Sequence, residues 1–182
     1  TGRDYDERSL QQEFERSNVG AKLTDVVKRL LHPKRGGARK GILVFTSFLW
    51  EARSLANAIP ECEFLCGDTK PKERERIIKD FTEGKIKVLS NVGILTTGFD
   101  YPALDTIVID RPTKSLALYY QIVGRAWRPY NDKTSWIIDL TDNYERFGMV
   151  ENLVMCDEGF GKYYIKGFVN GEWKQLTNTY FD

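Results

Sequence analysis

Apolar residues along this chain recur at two alternating periods. Leu23, Val26, Val27, Leu30 and Leu31 repeat at helical spacing and predict a helix over about 21–31, which His32-Pro33 ends. Residues 41–47 (G-I-L-V-F-T-S) form a short, partly β-branched run, the mark of a strand covered on both faces. A helical period follows over 48–59, then a second strand, E-F-L-C. Pro71 opens a charged helix that ends near Phe81, with Thr69 as its expected cap and Gly84 as its stop. K-V-L-S-N-V, T-I-V-I-D and S-W-I-I-D read as a third, fourth and fifth strand. Between the last two, Ser115 caps a helix that runs towards Arg125.

Strand–helix alternation at these lengths predicts an α/β fold, a doubly wound, mostly parallel sheet with helices on both faces. Three parts are expected: a helical lead-in over 1–40, the α/β body over 41–140, and an extension over 141–182. In the extension, Y-Y-I-K-G-F-V, Asn170-Gly171 and E-W-K-Q-L read as a hairpin with a type I′ turn, a small β appendage. Ligands of such sheets bind where strands end. Thr46-Ser47, residues 91–100 and residues 111–113 follow strand ends, and the segment from Gln121 follows the next helix, so convergence on one rim is expected.

Composition narrows the chemistry. The 182 residues are 41% hydrophobic and 29% charged, as in an ordinary globular domain, and the net charge of +1 means that any nucleic-acid contact is a local groove. The basic loop K-R-G-G-A-R-K (34–40) is expected to be solvated. No apolar run approaches the roughly 20 residues of a membrane span, and no signal-peptide pattern opens the chain. The three cysteines, Cys62, Cys66 and Cys156, do not suggest a disulfide framework, and with His32 they lack zinc spacing. No metal site is expected, and a reducing, cytoplasmic setting is the default.

Residues 121–128, Q-I-V-G-R-A-W-R, carry the sharpest signal. Gln121, Arg125 and Arg128 are four and then three residues apart, on one face of a helix, and a partly unwound end would still keep the two arginines together. Two planar, permanently charged forks aimed at one place suit a polyanion, and a triphosphate fits that geometry. A lone R-x-x-R would read as a solvated surface pair. Here it stands last in an ordered series: V-F-T-S, then C-G-D-T-K-P-K-E-R, then L-T-T-G-F-D-Y-P, then Q-I-V-G-R-A-W-R-P.

In that order and spacing, residues 41–140 resemble the second, C-terminal RecA-like domain of a superfamily 2 DEAD/DEAH-type helicase or translocase, through motifs IV, V and VI and the block between IV and V. The resemblance implies a P-loop NTPase fold without the P-loop. It also implies that Arg125 and Arg128 are arginine fingers on the terminal phosphates of ATP, where a desolvated guanidinium stabilises developing charge. Gln121 and Gly124 belong to the same motif near the nucleotide. Asp100 is implied at the ribose or the inter-domain link, with Gly98 allowing close backbone approach. Thr46, Ser47, Asn91, Val92 and Gly93, with Arg74, are implied contacts to nucleic-acid phosphates, which need no base reading.

Two positions depart from the family pattern. Trp127 stands where a small residue is frequent and is expected to pack on a neighbouring helix. Ile122 replaces a frequent arginine, which leans away from RNA remodelling and towards DNA translocases of the repair or restriction type. No G-x-x-x-x-G-K-[ST] and no D-E-x-[DH] occurs. The family carries both on its first RecA-like domain, which holds most of ATP and Mg2+. That domain is expected ahead of Thr1 as the partner of this one, and these residues alone are expected to be inactive. Two other readings remain: a non-catalytic nucleic-acid-binding module of the same fold, and an unrelated doubly wound domain for a small phosphorylated ligand.

Overall fold

A computed structural model describes residues 6, 8, 9, 11, 12, 19–94, 101–128 and 130–177. The elements run α1 (Val19–Leu31), β1 (Ile42–Thr46), α2 (Leu49–Ala58), β2 (Cys62–Leu65), α3 (Pro71–Thr82), β3 (Val88–Asn91), β4 (Thr106–Asp110), α4 (Leu116–Val123), β5 (Trp136–Asp139) and α5 (Asn143–Phe147). A 3₁₀ turn (Val150–Asn152) then leads to β6 (Val154–Gly159), β7 (Lys162–Val169) and β8 (Glu172–Gln175).

The five apolar runs pair as one parallel sheet, ordered β2-β3-β1-β4-β5. Register sets Val44 opposite both Ser90 and Val108, so the central strand β1 has no free edge. Side chains alternate across it. Ile42 and Val44 pack with Leu23, Val27 and Leu30 of α1 and Leu55 of α2. Leu43 and Phe45 pack with Ile77 and Phe81 of α3 and Tyr119 and Ile122 of α4. The result is helix, sheet, helix in three layers, as the alternation predicts. Each fully buried aliphatic or aromatic side chain contributes about 1.5–3 kcal/mol. From Val19 onward the expected lead-in is part of this body, because the apolar stripe of α1 covers one face of the sheet.

The caps show where local signals hold. Ser115 Oγ accepts from Leu118 N at 3.2 Å and starts α4. Thr69 does not cap α3: its Oγ1 accepts from Cys66 N at 3.0 Å and closes the C-G-D-T turn. The 34–40 loop is not wholly solvated either. Arg39 donates to Thr106 Oγ1 at 2.8 Å and to Asp105 O at 2.6 Å, and it lies 5.0 Å from the centre of the Trp136 ring. A guanidinium satisfied by strand-start oxygens staples β4 and β5 together at their amino ends.

The appendage is a three-stranded antiparallel sheet, β6-β7-β8. The expected turn is there, with φ of 52° at Asn170 and 85° at Gly171, as a type I′ turn requires. β6 was not predicted. The sheet rests on the body through Phe147, Val150 and Val169.

Gly148, where α5 ends, has φ 73° and ψ −164°, and a Cβ there would lie 2.3 Å from Phe168 O. Only glycine tolerates both the conformation and the contact. Gly148→Ala should therefore destabilise the fold by roughly 2–4 kcal/mol in urea titrations. Gly84→Ala, at φ 75° with open space around it, should cost about 1–2 kcal/mol. Equal losses would contradict this junction.

Candidate functional site

The carboxyl ends of β1, β3 and β4 form one edge of the sheet, and most residues expected to touch nucleic acid gather there. Their availability differs. Thr46 and Asn91 are fully buried. Thr46 Oγ1 donates to Asn91 O at 3.2 Å, and Asn91 Nδ2 donates to Val44 O at 2.8 Å. These side chains tie strand ends and do not face a ligand. Ser47 is half-buried, its Oγ donating to Asp110 O at 3.4 Å. Val92 is half-buried, and Gly93 is exposed at φ 72°. Arg74 lies in the first turn of α3, half-buried, with its Nε enclosed and unpartnered among the described residues.

Sequence reasoning placed Arg111 only within a segment that follows a strand end and gave it no role. It follows β4, and its guanidinium lies 3.6 Å from where a Gly93 side chain would begin. Arg111 forms no ion pair among the described residues. Its backbone is held by the buried Asn143, whose Nδ2 donates to Arg111 O at 2.9 Å and whose Oδ1 accepts from Thr113 N at 2.8 Å. The only sequence signal was position, a cation directly after a buried strand. Together Ser47, Gly93, Arg74 and Arg111 offer a hydroxyl, an open backbone and two cations.

Two carboxyls lie beneath this edge. Glu51 and Asp110 are both buried. Glu51 Oε2 accepts from Phe48 N at 2.9 Å and so braces the loop that carries Ser47. Burial pushes Glu51 up to about 7, partly offset by the amides of Phe48 and Ser47. Burial, together with the charges of Glu51 and Asp139, pushes Asp110 up to about 8. Both Asp110 carboxyl oxygens lack a hydrogen-bond partner among the described residues.

The motif VI residues lie elsewhere. α4 runs back against the strands, and its end is fastened near the start of β5, where Ser135 Oγ donates to Ala126 O at 2.6 Å. Convergence on one rim is thus corrected: Arg125 and Arg128 stand towards the amino edge. They also stand beyond the helix, in a tightened turn where Arg125 N donates to Ile122 O at 3.2 Å and Ala126 N to Val123 O at 3.1 Å. Arg125 is half-buried and Arg128 exposed. Gly98 and Asp100 lie outside the described residues. The next residue, Tyr101, packs against Gly41 at the amino edge. Lys133, in the loop after the motif VI turn, donates from Nζ to Pro102 O at 2.6 Å and Leu104 O at 3.0 Å.

Gln121 is exposed and lines a groove between α4 and the appendage with Tyr120, Leu153, Met155 and Ile165. Gly124 closes the helix at φ −58°, without the left-handed geometry that only glycine would favour. Trp127 is not packed away on a helix as expected. It is 45% exposed at a cleft of about 450 Å³ shared with Tyr119, Tyr144 and Met149. All three cysteines are free thiols, and burial pushes Cys62 up to about 12.

Residues 22–130 match the model of the helicase conserved C-terminal domain. The chain belongs to that family. Its fold is that of the C-terminal, RecA-like domain of superfamily 2 helicases. Similar proteins agree. IRC3 of Saccharomyces cerevisiae, named as an ATP-dependent helicase, is 36% identical over 112 residues, 59% of this chain and 16% of IRC3. A 51.5 kDa protein of a Lactococcus phage (isolate 7-9) is 29% identical over 94% of this chain and 35% of its own length. The chain therefore spans well under half of either relative. The structure of S. cerevisiae Dbp5 bound to RNA and ADP BeF3 superposes with a TM-score of 0.54 at 25% identity, over 68% of this chain and 32% of that one. With an RNA-bound neighbour, similarity lends no support to the lean towards DNA.

The acid pair gives a pH prediction. Both carboxyls hold protons more tightly folded than unfolded, so their contribution is complete below about pH 4 and is lost as pH rises towards 7 and 8. Glu51→Gln keeps the acceptor for Phe48 N and removes one of these groups. Urea unfolding should show the variant gaining on the parent by on the order of 1–3 kcal/mol between pH 5 and pH 8. A difference that does not change with pH would contradict the burial argument.

Proposed function

We propose that this domain is the second motor domain of an ATP-dependent superfamily 2 helicase or translocase, with its two duties on opposite edges of the sheet. Arg125 and Arg128 act at the amino edge as arginine fingers. Ser47, Gly93, Arg74 and Arg111 form part of a nucleic-acid groove at the carboxyl edge. ATP, when bound, supplies the phosphoryl group that is transferred. The guanidiniums stabilise charge that develops on its oxygens, and such a finger is worth roughly 10³–10⁵ in rate.

The observation that carries this reading is the motif VI turn itself. Two forks stand on a tightened turn past the end of α4, Ser135 Oγ holds that turn at Ala126 O, and Lys133 of the loop that follows is bound to Pro102 O and Leu104 O. Preorganised cations need no reorganisation as charge develops. The donor set suits phosphates. Among the described residues no group of three His, Cys, Asp or Glu could hold a metal ion. On the family resemblance, Mg2+ and most of the nucleotide are assigned to a first RecA-like domain with a P-loop. The 182 residues alone are expected to hydrolyse ATP negligibly.

At the carboxyl edge, cations and open backbone grip phosphates without reading bases, so either DNA or RNA fits. ATP-driven closure of the two domains, followed by release, would alternate their grip on the strand. Arg125→Ala, placed in a protein that joins this domain to its P-loop partner, should lower nucleic-acid-stimulated ATP hydrolysis by roughly 10³-fold or more. The same variant should leave the urea midpoint of this domain unchanged. Arg111→Glu should instead weaken oligonucleotide binding while unstimulated hydrolysis persists. Hydrolysis within a few-fold of the parent for Arg125→Ala would refute the finger role.

A further inference from the structure

The appendage has two unlike faces. On β7, Gly167 and Val169 face the body, and a Cβ on Gly167 would meet Leu176, Phe147 O and Leu153 at 2.7–3.2 Å. Alternation puts Lys162, Tyr164, Lys166 and Phe168 on the outward face. Register adds Trp173 opposite Phe168 and Val154 opposite Lys166. Asp157 and Glu172 pair with Tyr163 and Val169 and so fall on the inner side. The outward face therefore gathers lysines and aromatic rings, these two acids stay behind it, and Glu158, exposed in the bulge between Asp157 and Gly159, stands at its end beside Lys162.

The rings are held and open. Phe168 and Trp173 meet edge to face with centroids 5.5 Å apart, and Lys166 Nζ lies 5.1 Å from the Trp173 ring. Even so, Phe168 is 41% and Trp173 52% exposed. At the β6–β7 turn, Phe160 is wholly exposed at φ 54°, between Gly159 and Gly161. Asparagine would make that turn more readily. Among the described residues nothing covers the Phe160 ring.

We propose that this outward face is a second binding surface for single-stranded nucleic acid, with bases stacking on Trp173 and Phe168 and phosphates meeting Lys162 and Lys166. The proposal rests on the reading that the domain acts on nucleic acid and adds a site outside the helicase motifs. Exposed aromatics among cations suit a strand, since every base offers a ring face. A protein partner is the poorer fit, because lysine is depleted where proteins meet. Position agrees, because the sheet follows α5, and Asn143 of α5 holds the Arg111 backbone at the carboxyl edge.

The test is fluorescence anisotropy of the 182-residue chain with labelled 20-nucleotide oligothymidylate and oligouridylate. Compared with the parent are Phe168→Ala/Trp173→Ala, Lys162→Glu/Lys166→Glu, and the edge variant Arg74→Glu/Arg111→Glu. Circular dichroism checks each fold, and the lysine variant carries the test if the aromatic one does not fold. Both appendage variants should weaken binding roughly tenfold or more. Parent-like binding by both, with loss only in the edge variant, overturns the inference and leaves the proposed function standing. Loss only in the appendage variants supports the inference and counts against the edge groove. If the parent binds neither oligonucleotide, the inference falls. If the appendage variants change the sedimentation of the chain without changing oligonucleotide affinity, the face joins copies of the protein and the inference also falls.

Discussion

A helix that links two parallel strands must run against them, so it delivers its last residues to the edge opposite the one it left. In this domain α4 leaves β4 at the carboxyl edge and is fastened by Ser135 beside the start of β5. The motif VI arginines therefore stand away from Ser47, Gly93 and Arg111 by about one strand length, roughly 15 Å for strands of this size. The motif VI cations and the residues of the carboxyl edge therefore cannot share a surface in this topology. The segment from Val92 to Leu104 is the covalent link between the two edges: it leaves β3 at the carboxyl end and re-enters β4 at the amino end, beside Gly41.

That separation leaves the sheet as the body that joins the two edges. Its centre is stiff, with β1 paired on both sides and every residue of it buried. The carboxyl edge is stiffened again by Thr46 on Asn91, Ser47 on Asp110 and Glu51 on the amide of Phe48. The amino edge has Arg39, paired with the Asp105 carboxylate at 3.4 Å and bonded to backbone oxygen, and Lys133, which donates to two backbone oxygens. Holding two carboxyls beneath the carboxyl edge works against stability at neutral pH, since each is charged more easily in the unfolded chain. The bond that Glu51 makes to the Ser47 loop is the local return for that cost.

Much of the fold was legible because it is local or follows alternation. The apolar runs of β1 and β4 can only be covered strands, Ser115 can only cap, and Asn170-Gly171 makes the turn its backbone freedom suggests. What was not legible depends on partners distant in sequence. Thr69 had two amides within reach and took that of Cys66. β6, V-M-C-D-E-G, lacks an alternating pattern, and pairing with β7 makes it a strand. Arg39 looked like loop charge until Asp105, Thr106 and Trp136 arrived beside it. The motif residues were found by resemblance, but their edges were not. A motif gives the order of groups along the chain, whereas the direction of the crossover decides which edge each reaches. Burial likewise removed the Thr46 and Asn91 side chains from the ligand surface and left room for Arg111.

Hydrogen–deuterium exchange tests the two-edge arrangement most directly, in a protein that joins this domain to its P-loop partner. A non-hydrolysable ATP analogue alone should slow exchange at amides 124–128 and leave 47–48 and 92–94 unchanged. An oligonucleotide alone should do the reverse. Protection of the same edge by both ligands would contradict the arrangement.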